Sequence, residues 1–322
     1  MEIAGYDLAV LSIGALIAGI WLLVLAGDWA VGAAVVIARR AQLSKMFIGA
    51  TIIAFGTSVP ELFTSVNANL SGFPGISLGN VVGSNIANVL LVIGVAAIFY
   101  TMSTRREEVQ TDLAMMLVAT VILIGGMLFG IFSTAMGLAM VALLIVYIIY
   151  QYRTDSIDTS EVDEIEEEEM SMGRAWGLLV GGLIGLSIGS EILVAGAVTM
   201  GRVAGVPEAV IGMTVVAFGT SLPELSAAIT AALKRETSLI FGNIIGSNTF
   251  NILSIVGITA IVKPLEVESV LVGFDMWFMA GVSLVFAIWL MANAKITRPI
   301  GVGIFVCYLA FLGYQYRDVI VG

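Results

Sequence analysis

The chain has 322 residues, of which 59% are hydrophobic and 12% charged, with a mean hydropathy of +1.04. A soluble domain carries about 25% charged residues, so a soluble fold is excluded. Histidine is absent and cysteine occurs once, at Cys307, which excludes imidazole proton relays, Ser/His triads, intramolecular disulfides and cysteine clusters for zinc or iron–sulfur.

Apolar runs of about 20 residues, each able to cross a ~30 Å hydrocarbon core, recur along the whole length. The first lacks the basic flank and small-residue cleavage site of a signal peptide, so it reads as a retained helix. In chain order the hydropathy predicts spans at about 8–38, 44–70, 76–100, 111–131 and 134–152. The first and sixth spans look too long to cross upright, which predicts tilt. An acidic stretch follows, in which Asp155, Asp158, Glu161, Asp163, Glu164, Glu166, Glu167, Glu168 and Glu169 supply nine of the 24 acidic residues and most of the net charge of −10. It has too little apolar surface to fold alone and reads as a solvated linker. Five more spans follow, at about 174–203, 208–233, 239–262, 269–292 and 299–317.

The two sides of the linker repeat each other. Glu224 minus Glu61 gives an offset of 163, which also superposes Gly49 on Gly212, Gly79 on Gly242, Ser84 on Ser247, Gly94 on Gly257 and Asp28 on Glu191. Between 48–98 and 211–261 roughly 23 of 51 positions are identical without a gap, well beyond chance for a repeat. Five spans per half is an odd number, so the second half must enter the membrane from the opposite side. The expected fold is an all-α polytopic membrane protein of about ten transmembrane helices in two inverted five-helix repeats: 1–153, an acidic linker at 154–172, and 173–322. Inverted repeats are a transporter architecture, with the site at the midplane where the repeats meet.

Loop charge sets the expected orientation. With the N-terminus outside, the inward loops hold Arg39, Arg40, Lys45, Arg105, Arg106, Arg153, Arg174, Lys234, Arg235, Lys295 and Arg298, and the outward side only Arg202, Lys263 and Arg317. Both termini are then outside the cell membrane and the linker is cytoplasmic.

The chemistry centres on Ala54-Phe55-Gly56-Thr57-Ser58-Val59-Pro60-Glu61 and its copy Ala217-Phe218-Gly219-Thr220-Ser221-Leu222-Pro223-Glu224. An ionised carboxylate in mid-membrane costs on the order of 3 kcal/mol or more. No basic residue stands beside either glutamate in these spans, and a bound cation is the simplest partner. Pro60 has no N–H, so the carbonyl of Gly56 loses its helical donor. Freed carbonyls at this depth are tolerated where they line a polar cavity. Carboxylate, carbonyl and hydroxyl oxygens make a hard-oxygen site suited to Ca²⁺ or Na⁺ and not to softer transition metals. The bland alternative, a proline kink with protonated glutamates, does not account for two copies in register.

A second motif follows each copy: Gly79-Asn80-Val81-Val82-Gly83-Ser84-Asn85-Ile86-Ala87-Asn88 and Gly242-Asn243-Ile244-Ile245-Gly246-Ser247-Asn248-Thr249-Phe250-Asn251. Its glycines allow close helix approach. Ser84 and Asn88 share one helix face, as do Ser247 and Asn251, and can complete a coordination shell. Asn80, Asn85, Asn243 and Asn248 are either further ligands or interhelical hydrogen-bonding groups. Asp28 and Glu191 either line an ion path or pair with a basic residue near the membrane surface.

These duplicated motifs resemble the α-repeats of the cation/calcium antiporter superfamily, above all the prokaryotic sodium/calcium exchangers, over essentially the whole chain. The resemblance implies that the second, third, seventh and eighth spans form the core, and that the first and sixth slide across it. It implies a metal site of Glu61 and Glu224, the Thr57, Thr220, Ala54 and Ala217 carbonyls, and Ser58, Ser221, Ser84 and Ser247, with Asn88 and Asn251 at its middle. Some members, including the potassium-dependent branch, have an aspartate where this chain has Asn251. The neutral amide leaves two carboxylates and argues against a potassium requirement. The expected function is electrogenic exchange of three Na⁺ for one Ca²⁺ by alternating access, with no enzymatic activity, cofactor, nucleic acid or obligate protein partner. A Ca²⁺/H⁺ antiporter using the same glutamates is the rival. A cation channel is disfavoured by the paired sites.

Overall fold

The computed structural model describes residues 5–155, 170–203 and 219–315. The helices are α1 Gly5–Ala41, α2 Lys45–Thr57, α3 Val59–Leu70, α4 Pro74–Phe99, α5 Arg106–Phe129, α6 Thr134–Thr154, α7 Met172–Val203, α8 Leu222–Leu233, α9 Thr237–Val262, α10 Phe274–Met291 and α11 Arg298–Gln315. Seven are long and apolar enough to cross a membrane, and the bent pair α2–α3 makes an eighth span. α8 and α11 are further apolar helices of 12 and 18 residues. α1 has 37 residues and is therefore about 55 Å long, well beyond a ~30 Å apolar layer. The acidic stretch from 156 to 169 and the first part of the expected seventh span, 208–218, lie outside the described residues.

Burial separates core from periphery. The most apolar window is 83% buried in α4 and 89% buried in α9, but 17% in α1 and 28% in α7. The outer helices present large apolar side chains outward, such as Trp21, Leu11, Val121 and Phe129, which suits a surface solvated by lipid. α1 and α7 pack along each other through small residues: a Cβ on Gly182 would lie 2.7 Å from the Ala30 nitrogen. The core uses the same device. A Cβ on Gly246 would lie 2.4 Å from the Ala50 carbonyl, and one on Gly242 2.4 Å from that of Met46. Only glycine lets α2 and α9 approach so closely.

Short contacts tie the ends of the helices. Two-residue strands β1, Ile131–Phe132, and β2, Leu265–Glu266, pair antiparallel with Ile131 opposite Glu266. Met102 and Ile296 form a single bridge elsewhere. Lys45 Nζ lies 2.8 Å from Glu236 Oε2, joining the start of α2 to the α8–α9 turn. Asn69 and Lys263 exchange hydrogen bonds between the end of α3 and the end of α9, at 2.8 and 3.0 Å. Asp155, the first acid of the linker stretch, accepts from the Ser44 backbone N–H at 2.7 Å and so ties the end of α6 to the start of α2, which the Ser44 hydroxyl caps by accepting from the Phe47 N–H.

Three boundaries differ from expectation. α5 begins at Arg106, not near 111, because Glu107 and Glu108 stabilise a polar first turn at the helix N-terminus. Residues 269–272 form a 3₁₀ turn before α10 starts at Phe274. α11 begins at Arg298, a residue earlier than hydropathy alone places it.

Candidate ion-binding site

The proline motif breaks its span as the sequence predicts. α2 and α3 meet at Ser58, with φ −87° and ψ 2°, and diverge by 44°. Ser221, at the start of α8, has φ −87° and ψ 3°, so the two copies adopt the same local geometry. In each, proline occupies the first turn of the new helix, where its missing N–H costs nothing. The carbonyl that Pro223 deprives of a helical donor belongs to Gly219, and it accepts from the Ser190 hydroxyl of α7 at 2.5 Å.

The restarted helices bury the acids: Glu61 and Glu224 are each 1% exposed. Ser58 of the first motif donates to Glu224 Oε1 at 3.4 Å, so the two motifs meet. Thr57, Ser84, Ser221, Ser247, Asn88 and Asn251 are all buried here, and Thr220 is half-buried. The Ala54 carbonyl accepts from the Ser58 N–H at 3.1 Å and the Thr57 hydroxyl at 3.4 Å. Ala217 lies outside the described residues.

The asparagines divide by role. Asn88 Nδ2 donates to Asn248 Oδ1 at 3.0 Å, and Asn251 Nδ2 donates to Asn85 Oδ1 at 3.1 Å. Adding 163 to 88 and to 85 gives 251 and 248, so these bonds are one interaction made twice with the halves exchanged. Asn85 and Asn248 are interhelical ties between α4 and α9. Asn85 holds Asn251, and Asn248 holds Asn88, by the amide nitrogen, and the amide oxygens of Asn251 and Asn88 are left without a partner. Asn80 is also tied, to the Glu61 carbonyl at 3.2 Å and the Ser65 hydroxyl at 3.0 Å. α4 and α9 both switch from α to π winding at the inner asparagine, over Asn88–Val92 and Asn251–Val256. Single π turns cluster at functional positions.

Eight buried side-chain atoms among the described residues lack a hydrogen-bond partner. Five belong to the expected ligand set: Glu61 Oε2, Glu224 Oε2, Asn88 Oδ1, Asn251 Oδ1 and Ser247 Oγ. An unpaired buried polar atom costs about 1–3 kcal/mol, so each of the five calls for a partner that the described residues do not supply. They are oxygens, and a hard cation satisfies them. Two carboxylates set the charge, and neutral oxygens fill the shell; among the described residues no three His, Cys, Asp or Glu side chains gather.

Sequence reasoning missed several polar contacts. Ser65 and Ser190 carry no motif signal, because each acts only through hydrogen bonds to another element. Asp112 is buried in α5 and accepts hydrogen bonds from Tyr147 and Gln151 of α6; the i, i+4 spacing of Tyr147 and Gln151 hints that they share a partner. Asp28 forms an ion pair with Lys234 at 2.8 Å, with its side chain 62% exposed, which selects the surface-pair reading for this acid. Glu191 is exposed.

Membrane-crossing helices around buried carboxylates and unpaired oxygens are the setting of a membrane transporter. Residues 11–153 and 174–317 match the sodium/calcium exchanger protein family, and the chain belongs to that family. It is 32% identical to the sodium/calcium exchanger MaX1 of Methanosarcina acetivorans, with 92% of this chain and 96% of that one covered. It is 37% identical to an uncharacterized membrane protein of Methanocaldococcus jannaschii, covering 81% and 85%. A solved structure of the sodium-calcium exchanger NCX_Mj, soaked with Na⁺ and Sr²⁺, superposes with a TM-score of 0.80 at 33% identity, covering 94% of this chain and 97% of that chain.

Proposed function

We propose that the chain exchanges Na⁺ for Ca²⁺ by alternating access, without K⁺, moving three Na⁺ inward for each Ca²⁺ expelled. The observation that carries this reading is the coincidence of five unpaired buried oxygens with the ligands expected from the duplicated motifs. The names of the similar exchangers MaX1 and NCX_Mj support the same pair of ions.

In this reading Glu61 and Glu224 neutralise one Ca²⁺. Ser58, Ser221, Ser84 and Ser247, the carbonyls of Ala54, Thr57, Ala217 and Thr220, and the amide oxygens of Asn88 and Asn251 supply the remaining coordination. Ca²⁺ takes 6–8 oxygens, and Na⁺ ions use subsets of the same atoms. Occupancy by one ion type therefore excludes the other. An empty pair of carboxylates is too costly to carry across the bilayer, which couples the two fluxes.

The reading includes ten spans in two inverted repeats: α1 to α6 in 1–153, and α7 to α11 with the undescribed start of the seventh span in 173–322. The contacts at the helix ends support the inversion. Lys45 at the start of the second span meets Glu236, which follows the end of the seventh. Repeat-equivalent spans thus begin and end at the same face. The positive-inside bias makes that face cytoplasmic, with the linker at 154–172 on the same side and both termini outside.

Substituting Glu61→Gln or Glu224→Gln in proteoliposomes abolishes Na⁺-driven ⁴⁵Ca²⁺ uptake in this account. Wild-type uptake by either variant would remove its core.

A further inference from the structure

Between α10 and α11 lies a groove of about 460 Å³, a volume in the range of small-molecule sites. Val89 and Leu90 of α4 form its floor, and Val282 and Phe286 of α10 face Ile300 and Ile304 of α11 across it. Its lining carries no charged side chain. Toward the start of α10 the two helices touch, through the stacked rings of Phe278 and Phe311 at 4.9 Å. From that contact the groove follows α10 as far as Trp289. These eleven residues of helix span about 16 Å, close to the depth of one leaflet of a ~30 Å hydrocarbon core. A Cβ added to Gly281, which also lines the groove, would meet no atom within 4 Å.

Charge marks the other end. Ile296 and Ile300 line the groove with Trp289, and Lys295 and Arg298 flank them in the chain, both exposed. Neither pairs with a carboxylate among the described residues. Arg298 donates to the Phe99 carbonyl at 3.3 Å, which keeps its charge. The Arg106 N–H donates to Asn293 Oδ1 at 2.7 Å and brings the start of α5 to the same corner. There Arg105 pairs with Glu108, and Arg106 and Glu107 balance in formal charge. Lys295 and Arg298 therefore carry the uncompensated charge of this corner.

We propose that this groove seats one acyl chain of an anionic phospholipid, with the lipid phosphate against Lys295 and Arg298. The apolar walls and the length suit the chain, and the charge at one end suits the headgroup. Basic pockets between membrane helices bind such headgroups, and Trp289 stands at the same end, as aromatic residues do at a membrane interface. A chain seated here packs on Val89 and Leu90, which directly follow Asn88 in its π turn. The orientation proposed above assigns this lipid to the cytoplasmic leaflet. The fit of chain and charge depends neither on that orientation nor on the exchange reading.

The test is native mass spectrometry of the delipidated chain in detergent, titrated with phosphatidylglycerol or with phosphatidylcholine of the same acyl chains. The proposal expects the first phosphatidylglycerol to bind about tenfold more tightly than phosphatidylcholine, and Lys295→Gln/Arg298→Gln to remove that preference. Gly281→Phe places a ring in the groove and weakens the binding of both lipids about fivefold or more. Cys307, the one thiol of the chain, also lines the groove and needs no substitution to report on it. Phosphatidylglycerol slows its alkylation by a maleimide about fivefold, and inorganic phosphate does not. Equal affinity for the two lipids, a preference that survives Lys295→Gln/Arg298→Gln, unchanged binding by a folded Gly281→Phe protein, or an alkylation rate indifferent to phosphatidylglycerol would overturn the proposal. A lipid-free dimer that protects Cys307 would also overturn it, by making this face an interface between two copies of the chain.

Discussion

In the proposed site the neutral amide oxygens come from Asn88 and Asn251. Each is held by a partner asparagine on the opposite helix, with its own oxygen left unpaired. A ligand aimed by a neighbour in this way loses about 10–100-fold in metal affinity when the neighbour is removed. Asn85→Leu therefore weakens Ca²⁺ binding about tenfold or more, measured as Ca²⁺-dependent thermal stabilisation in detergent, although Asn85 itself is no ligand in this account. Unchanged affinity would mean that Asn251 needs no such support. The glutamates and the serine–asparagine faces are legible in sequence because duplication flags them. The ties from Asn85 and Asn248 are not, because a single helix does not reveal which of its polar faces meets another helix. The same blindness hid Ser65, whose value depends on Asn80 standing opposite.

Elements are legible where hydrophobicity alone decides. Ten apolar runs are visible, and the break after Ser58 follows from Pro60 and the small residues before it. The β1–β2 pairing was invisible, because it depends on two distant loops meeting and not on local pattern. The contact of α2 with α9 is decided by space. A side chain on Gly246 meets the Ala50 backbone, which cannot step aside. Gly246→Leu therefore destabilises the fold by about 1–3 kcal/mol or more through overpacking, seen as a lower thermal unfolding midpoint. Gly303→Ala, on an exposed face of α11 with no atom within 4 Å of the added carbon, leaves the midpoint near wild type. Equal effects would remove the argument for close packing.

At the scale of the whole molecule, the two segments that repeat in sequence differ in detail around the proposed site. Ser190 holds the Gly219 carbonyl, whereas its repeat mate Gly27 has no side chain to hold Gly56. The Asp28–Lys234 pair joins α1 to the end of α8, and its mates are Glu191 and Ser71, which cannot form an ion pair. The Asp28–Lys234 pair is half-exposed and is worth less than about 1 kcal/mol, so Lys234→Met changes the unfolding midpoint little. Exchange of three Na⁺ for one Ca²⁺ moves one net positive charge per cycle. Na⁺-driven Ca²⁺ flux therefore responds to an imposed membrane potential, and a flux indifferent to potential would contradict that stoichiometry.

The central claim is that Na⁺, and not H⁺, is the ion exchanged for Ca²⁺ at the Glu61/Glu224 cluster. Uptake of ⁴⁵Ca²⁺ into proteoliposomes, under an imposed Na⁺ gradient or an imposed pH gradient and without K⁺, tests it most directly. The account predicts rapid uptake with the Na⁺ gradient and none with the pH gradient. Uptake driven by pH in the absence of Na⁺ would contradict it.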